Sequence, residues 1–171
     1  MTDSGAKTSF FDQFALGREY KRVYNRVAQP SHPLSIQLVA FWREKEKDGG
    51  LVAGRDVPSR AISGILRNLI IYEPLAESTD FRIRHAGTAY IAHYGMDVTG
   101  MMMSELFDDD DVRSHNFMIA EEVIRTDTVE IFDANLSQFG IARRHYEVVL
   151  LPVMAPDRAS KWLLCGLFRF D

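Results

Sequence analysis

One cysteine in 171 residues, Cys165, leaves this chain without the means to form an intramolecular disulfide. A disulfide-stapled scaffold is excluded, and Cys165 itself falls in an apolar run where a thiol is ordinarily buried and inert. Long apolar stretches are missing too. None approaches the ~20 residues that cross a bilayer, and no N-terminal apolar core leads into a cleavage site. The expectation is a cytoplasmic protein. Positive charge is not in excess: a net charge of -4 gives no electrostatic basis for sequence-independent binding to nucleic acid. There is no internal repeat, and nothing of low complexity beyond the aspartate run Asp108 to Asp111. Catalytic signatures are absent as well, with no Gly-x-Ser-x-Gly elbow, no phosphate loop and no Ser, His and Asp grouping on a recognisable element. His85, His93 and His115 lack the close spacing of a zinc site, and the aspartate run lacks the glycine and distal glutamate of a calcium loop. These absences predict neither a metal centre nor an enzyme.

What is present is an ordinary globular composition, 46% hydrophobic and 26% charged, of a size that one core serves. Residues 1–30 read as a polar tail and an amphipathic helix, and residues 31–171 as one domain with its own leading helices. Over residues 10–28, Leu16, Tyr20, Val23, Tyr24 and Val27 share a helical stripe opposite basic residues. Pro30 to Pro33 breaks the chain. A second helix follows over 34–47, with Leu34, Leu38, Phe41 and Trp42 inward, and Gly49 and Gly50 end it. A third, short one is expected behind Asp56 as N-cap, with Pro58 in its first turn.

Five strands are expected. Residues 69–73 and 81–86 come first, and 130–137, 146–154 and 162–170 form a closing meander. In the second, strict alternation puts Phe81, Ile83 and His85 on one inward face. Between the two groups, 88–94 makes a short helix stopped by Gly95. A longer one over 112–125 starts behind four carboxylates that complement its dipole and carries Val112, His115, Ile119 and Val123 on one stripe.

Three ordered segments carry a family likeness. Phe81-Arg82-Ile83-Arg84-His85-Ala86-Gly87-Thr88, then Tyr94-Gly95-Met96-Asp97-Val98-Thr99-Gly100 with Glu105-Leu106 behind, and Arg144-His145-Tyr146-Glu147-Val148-Val149-Leu150-Leu151-Pro152 resemble the signature segments of small stand-alone bacterial PAS domains. The likeness spans roughly residues 34–170. It implies an α+β PAS fold: a five-stranded antiparallel sheet in spatial order 2-1-5-4-3, helices on one face and a helical N-terminal extension. It also implies a sensory or regulatory module that binds a small molecule or partner and signals through protein contacts, often as a homodimer. His85 departs from the family pattern, where an apolar residue is common.

On that likeness the ligand pocket is expected among His85, Tyr90, Tyr94, Met103, His115, Ile119 and Phe132. No cofactor is required. Haem would take His115 as its ligand, because some haem-binding relatives hold iron from this helix; the plain alternative is a core histidine with a protein partner. Cysteine-based flavin photochemistry is excluded, since Cys165 lies on the last strand. The Met101-Met102-Met103 run reads as gap-filling or as an adaptable lid. Leu16, Tyr20, Val23, Tyr24 and Val27 are the candidate dimerisation stripe, with folding back onto the domain's own sheet as the alternative. No output domain is expected in the chain, and no nucleic-acid or membrane partner. The enzymatic rival is a cone-shaped α+β fold of the nuclear-transport-factor type with a pocket Asp or His as base. Strand order argues against it, because here two strands precede the long helix.

Overall fold

In this computed structural model, residues 24–135 and 145–171 are described. Six strands form one antiparallel sheet: β1 (Tyr24–Arg26), β2 (Leu69–Pro74), β3 (Phe81–Ala86), β4 (Glu130–Asn135), β5 (His145–Met154) and β6 (Lys161–Phe170), in the order β1-β4-β5-β6-β2-β3. The five expected strands keep the neighbours that the family likeness implies, with the final strand central. The count of five is corrected by β1, which adds an outer strand beside β4.

That added strand also corrects the C-terminal end of the helix expected over residues 10–28. Tyr24 pairs with Ala134 and Arg26 with Phe132, the Val27 N–H donates to the Ile131 carbonyl at 2.9 Å, and the Arg26 guanidinium meets Glu130 at 2.7 Å. Residues three apart share a face in a helix but lie on opposite faces of an extended chain. Tyr24 accordingly packs on one side of the sheet and Val27 on the other. Both thus fold back on the chain's own sheet. Leu16, Tyr20 and Val23 lie outside the described residues.

Helices cover both faces, which corrects the expectation of one. Helix α1 (Pro33–Glu46) lies on what we call the second face. It starts with Pro33 in its first turn and His32 as cap, the His32 Nδ1 accepting the Leu34 N–H at 3.1 Å. Leu38, Val39 and Trp42 seat against Leu69, Ile71, Val149, Leu151, Leu164 and Phe168. Gly166 allows this approach: a Cβ there would lie 2.9 Å from the Leu38 Cδ2 and 2.5 Å from the Phe168 ring. The Trp42 Nε1–H donates to the Pro152 carbonyl at 2.7 Å.

The helix expected behind Asp56 does not form. Residues 51–53 instead run beside the end of β5, with Val52 bridged to Met154, and the Asp56 carboxylate accepts the N–H of Val52 behind it at 2.8 Å where a cap would accept from ahead. Short 3-10 turns at Arg60–Ile62 and Leu66–Asn68 follow. No helix among the described residues is long and apolar enough to cross a membrane.

The first face is roofed by α2 (Thr88–Tyr94), a 3-10 turn at Met103–Leu106 and α3 (Asp110–Thr126). Helix α2 ends at Gly95 in the left-handed region, φ 70°, as its sequence demands. Asp109 caps α3 by accepting the Val112 N–H at 2.9 Å. The first-face core unites Ile70, Tyr72, Leu163 and Cys165 of the sheet with Tyr90, Leu106, Ile119 and Val123 above them.

Candidate functional site

The first-face core is not filled. Between sheet and roof lies a cavity of about 100 Å³. Alternation along three central strands supplies its floor: Ile70 and Tyr72 from β2, Leu163, Cys165 and Leu167 from β6, and Tyr146, Val148 and Leu150 from β5. Phe132 and Ala134 of β4 extend it to the edge, where Tyr24 of β1 closes that end with its ring 5.7 Å from Phe132.

The roof is placed by short-range chemistry. Gly87 packs so tightly on the Leu66–Asn68 turn that a Cβ would lie 2.3 Å from the Arg67 carbonyl oxygen, and its N–H donates to the Leu69 carbonyl at 2.8 Å. The first turn of α2 is thereby pinned to β2, and Tyr90 and Tyr94, four residues apart, hang over the cavity. Met103 and Phe107 enter from the 3-10 turn, which Asp80 ties to β3 by accepting the Ser104 N–H at 3.1 Å and the Phe81 N–H at 2.8 Å. Asn116, Ile119 and Ala120 come from α3.

Of the residues proposed from sequence, Tyr90, Tyr94, Met103, Ile119 and Phe132 line this cavity, and His85 and His115 do not. The reason for His85 is a bulge. Tyr72 pairs with Ile83 but Ile71 with His85, so Arg84 is an extra residue in β3 and the alternation slips by one. His85 then shares a face with Ile71, on the second side of the sheet, and corrects the expectation that it points inward with Phe81 and Ile83. His115 falls at the margin of α3's inward face. The buried positions are Val112, Ile119, Ala120 and Val123, whose centre lies toward Asn116, and His115 is only half-buried.

Haem therefore does not fit the residues present. His115 is off the cavity wall, and about 100 Å³ falls short of the ~300–1,000 Å³ of ordinary ligand pockets. Among the described residues no group of three or more His, Cys, Asp or Glu side chains could hold a metal ion.

Sequence reasoning missed Tyr72, Tyr146, Asn116 and His93. The first two follow from strand parity, since Tyr72 shares a face with Ile70 and Tyr146 with Val148. His93 stands at the cavity margin with its ring edge-on to Tyr94 at 5.1 Å. His93, Tyr146 and Leu167 also border a neighbouring groove of about 750 Å³, which continues to Arg67, Asn68, Arg169 and Asp171.

Inside, the site is polar at few points and uncharged. Burial pushes the phenols of Tyr72 and Tyr90 well above their usual range, with further upward contributions from nearby Tyr94 and Cys165. The same burial holds the Cys165 thiol far above the range in which it would ionise. Such a site can hold a small neutral molecule and orient it, and it has no activated nucleophile in Cys165.

A family model described as a PAS domain matches residues 30–168. Neither a curated protein nor a solved structure matches the chain.

Proposed function

The chain belongs to the PAS-domain family, which suggests a sensory or regulatory role, and we propose that it senses a small, mostly apolar molecule held in the first-face cavity. One observation carries this reading. A sheet and three roof elements converge on a space they leave open, although its walls are mostly apolar and the rest of the core is closely packed. Signal output is assigned to protein contacts, within a homodimer or with a signalling partner.

Tyr24 is the proposed route outward. It touches the cavity from a three-residue edge strand, so an occupant that displaces its ring pulls on β1 and on the chain before it. Short edge pairing of this kind belongs to the least stable parts of a fold.

Native mass spectrometry of the gently purified protein tests the reading, with Ala120→Leu as the filling variant. A small-molecule adduct is expected on the wild type and its loss on the variant, with the roof helix retained. An adduct unchanged by Ala120→Leu, or bare protein in both, sinks the proposal.

A further inference from the structure

Strand β6 runs on to Phe170 beside β5, but β2 accompanies it only as far as the pair of Leu69 with Gly166. From Leu167 onward one edge of β6 has no strand beside it. The groove of about 750 Å³ lies at this edge, bordered by the Leu66–Asn68 turn, by α2 and by the start of α1. Its volume falls within the ~300–1,000 Å³ of ordinary ligand pockets, a range the roofed cavity does not reach.

The carbonyls on this edge are taken. The Asn68 side-chain amide donates to the Leu167 carbonyl at 2.9 Å, and the His32 Nε2–H donates to the Arg169 carbonyl at 3.0 Å. The proton sits on Nε2 because Nδ1 accepts the Leu34 N–H. What the edge keeps is donors. The N–H and C=O of one residue in an antiparallel strand point to the same edge, so the Arg169 N–H faces the side on which His32 meets its carbonyl, and no described residue accepts from it.

Charge follows the same pattern. Arg67 is held at the groove by the neighbouring Asn68 bond, and Arg169 shares the face of Leu167 two residues before it. Neither guanidinium forms an ion pair with a described residue, whereas Arg26, Arg55, Arg84 and Arg113 each do. Asp171 is the one carboxylate among the described residues that line the groove. Two fixed positive charges against one negative favour a single anionic group, and both act through the field of the groove whichever of them that group touches. Leu34 of α1 with Ala89 and Ala92 of α2 gives the rest of the wall an apolar stretch.

We propose that this groove binds a small organic monocarboxylate, its charge held by Arg67, Arg169 and the Arg169 N–H and its apolar body lying along α2. Binding is non-covalent, and the assignment is independent of what the roofed cavity holds.

The test is an NMR titration of the full chain at neutral pH with benzoate and its uncharged isostere benzamide, read at the Arg169 amide and the Ala92 methyl group. Benzoate is expected to bind about fivefold more tightly than benzamide, the difference between a charged and a neutral acceptor, and to weaken as salt is raised. Arg67→Gln and Arg169→Gln are each expected to weaken benzoate about threefold without weakening benzamide, and Asp171→Asn to tighten it by a similar factor. All three side chains are exposed, so folding is preserved. Ala120→Leu, which fills the roofed cavity, is expected to leave benzoate binding unchanged. Equal affinity of the two probes, or no response to either arginine substitution, overturns the assignment. Loss of benzoate binding in Ala120→Leu would move the probe to the cavity and overturn the groove site. Inorganic phosphate that competes as well as benzoate overturns the carboxylate class.

Discussion

The two faces of the sheet are built from the same strands, residue by residue in alternation, yet one is solid and the other hollow. On the second face α1 descends onto Gly166 until Leu38 touches the sheet, and the buried Trp42 indole and Glu147 carboxylate there both have hydrogen-bond partners. Glu147 is the extreme case. Only 1% exposed, its carboxylate accepts the Ser31 N–H at 2.9 Å, the Ser31 hydroxyl at 2.8 Å and the His32 N–H at 3.0 Å. On the first face the roof stands off, leaving a cavity that Tyr72 and Tyr90 help to line. A protein that can close one face so completely has no general difficulty in packing; the opening on the other is specific to its roof, which hangs from short, locally pinned pieces where α1 is one continuous helix.

Truncation gives the largest contrast. Leu38→Ala is expected to cost about 2–5 kcal/mol, because rigid surroundings leave a void. Ile119→Ala, at the wall of an existing cavity, is expected to cost about half as much, since its cavity-facing atoms have few partners to lose. Urea unfolding measures both, and equal costs would erase the distinction between the faces.

Glu147→Gln comes next. Burial by itself raises this carboxyl, but the N–H donors of Ser31 and His32 and the Ser31 hydroxyl outweigh it and hold it below the usual glutamate value of 4.5. A group depressed in the folded state stabilises fully above its unfolded pKa, and that contribution disappears as pH falls through the folded one. The substitution is therefore expected to cost about 1–3 kcal/mol at neutral pH. The deficit should shrink in acid below pH 4.5, where the wild type loses the same contribution. A pH-independent deficit in thermal unfolding would show that the carboxylate's charge plays no part.

Tyr72→Phe carries the smallest effect and the sharpest sign. Deleting an unpartnered buried hydroxyl is expected to leave the ligand-free protein unchanged or up to about 1 kcal/mol more stable. A loss of stability in calorimetry would mean that the phenol already has a partner, and that the two faces are equally satisfied.

Much of this architecture was legible beforehand. The meander, the α2 stop at Gly95 and the aspartate cap of α3 follow from parity, glycine and charge acting over a few residues, and the central last strand is what the family likeness implied. Five of the seven expected residues line the cavity, and Tyr90, Tyr94, Ile119 and Phe132 among them lie on regular elements whose inward side the apolar pattern marks. His85 escaped because one extra residue in β3 reverses everything after it, and a bulge has no composition of its own. Tyr24 escaped because a three-residue spacing reads equally as a helical stripe or as two sides of a ribbon. Asp56 escaped because a cap and a backward-turning carboxylate use the same residue type.

The amino-acid order alone marked most of the strands and helices and the family pattern they follow, because turn residues and hydrophobic periodicity act locally. Whether α1 would cover the second face, whether β1 would join the sheet, and whether the first face would close or leave a chamber were decided only in three dimensions. Those outcomes depend on how far apart packed surfaces come to rest, and that distance is set by contacts between residues remote in the chain, such as Leu38 with Gly166 and Gly87 with Arg67.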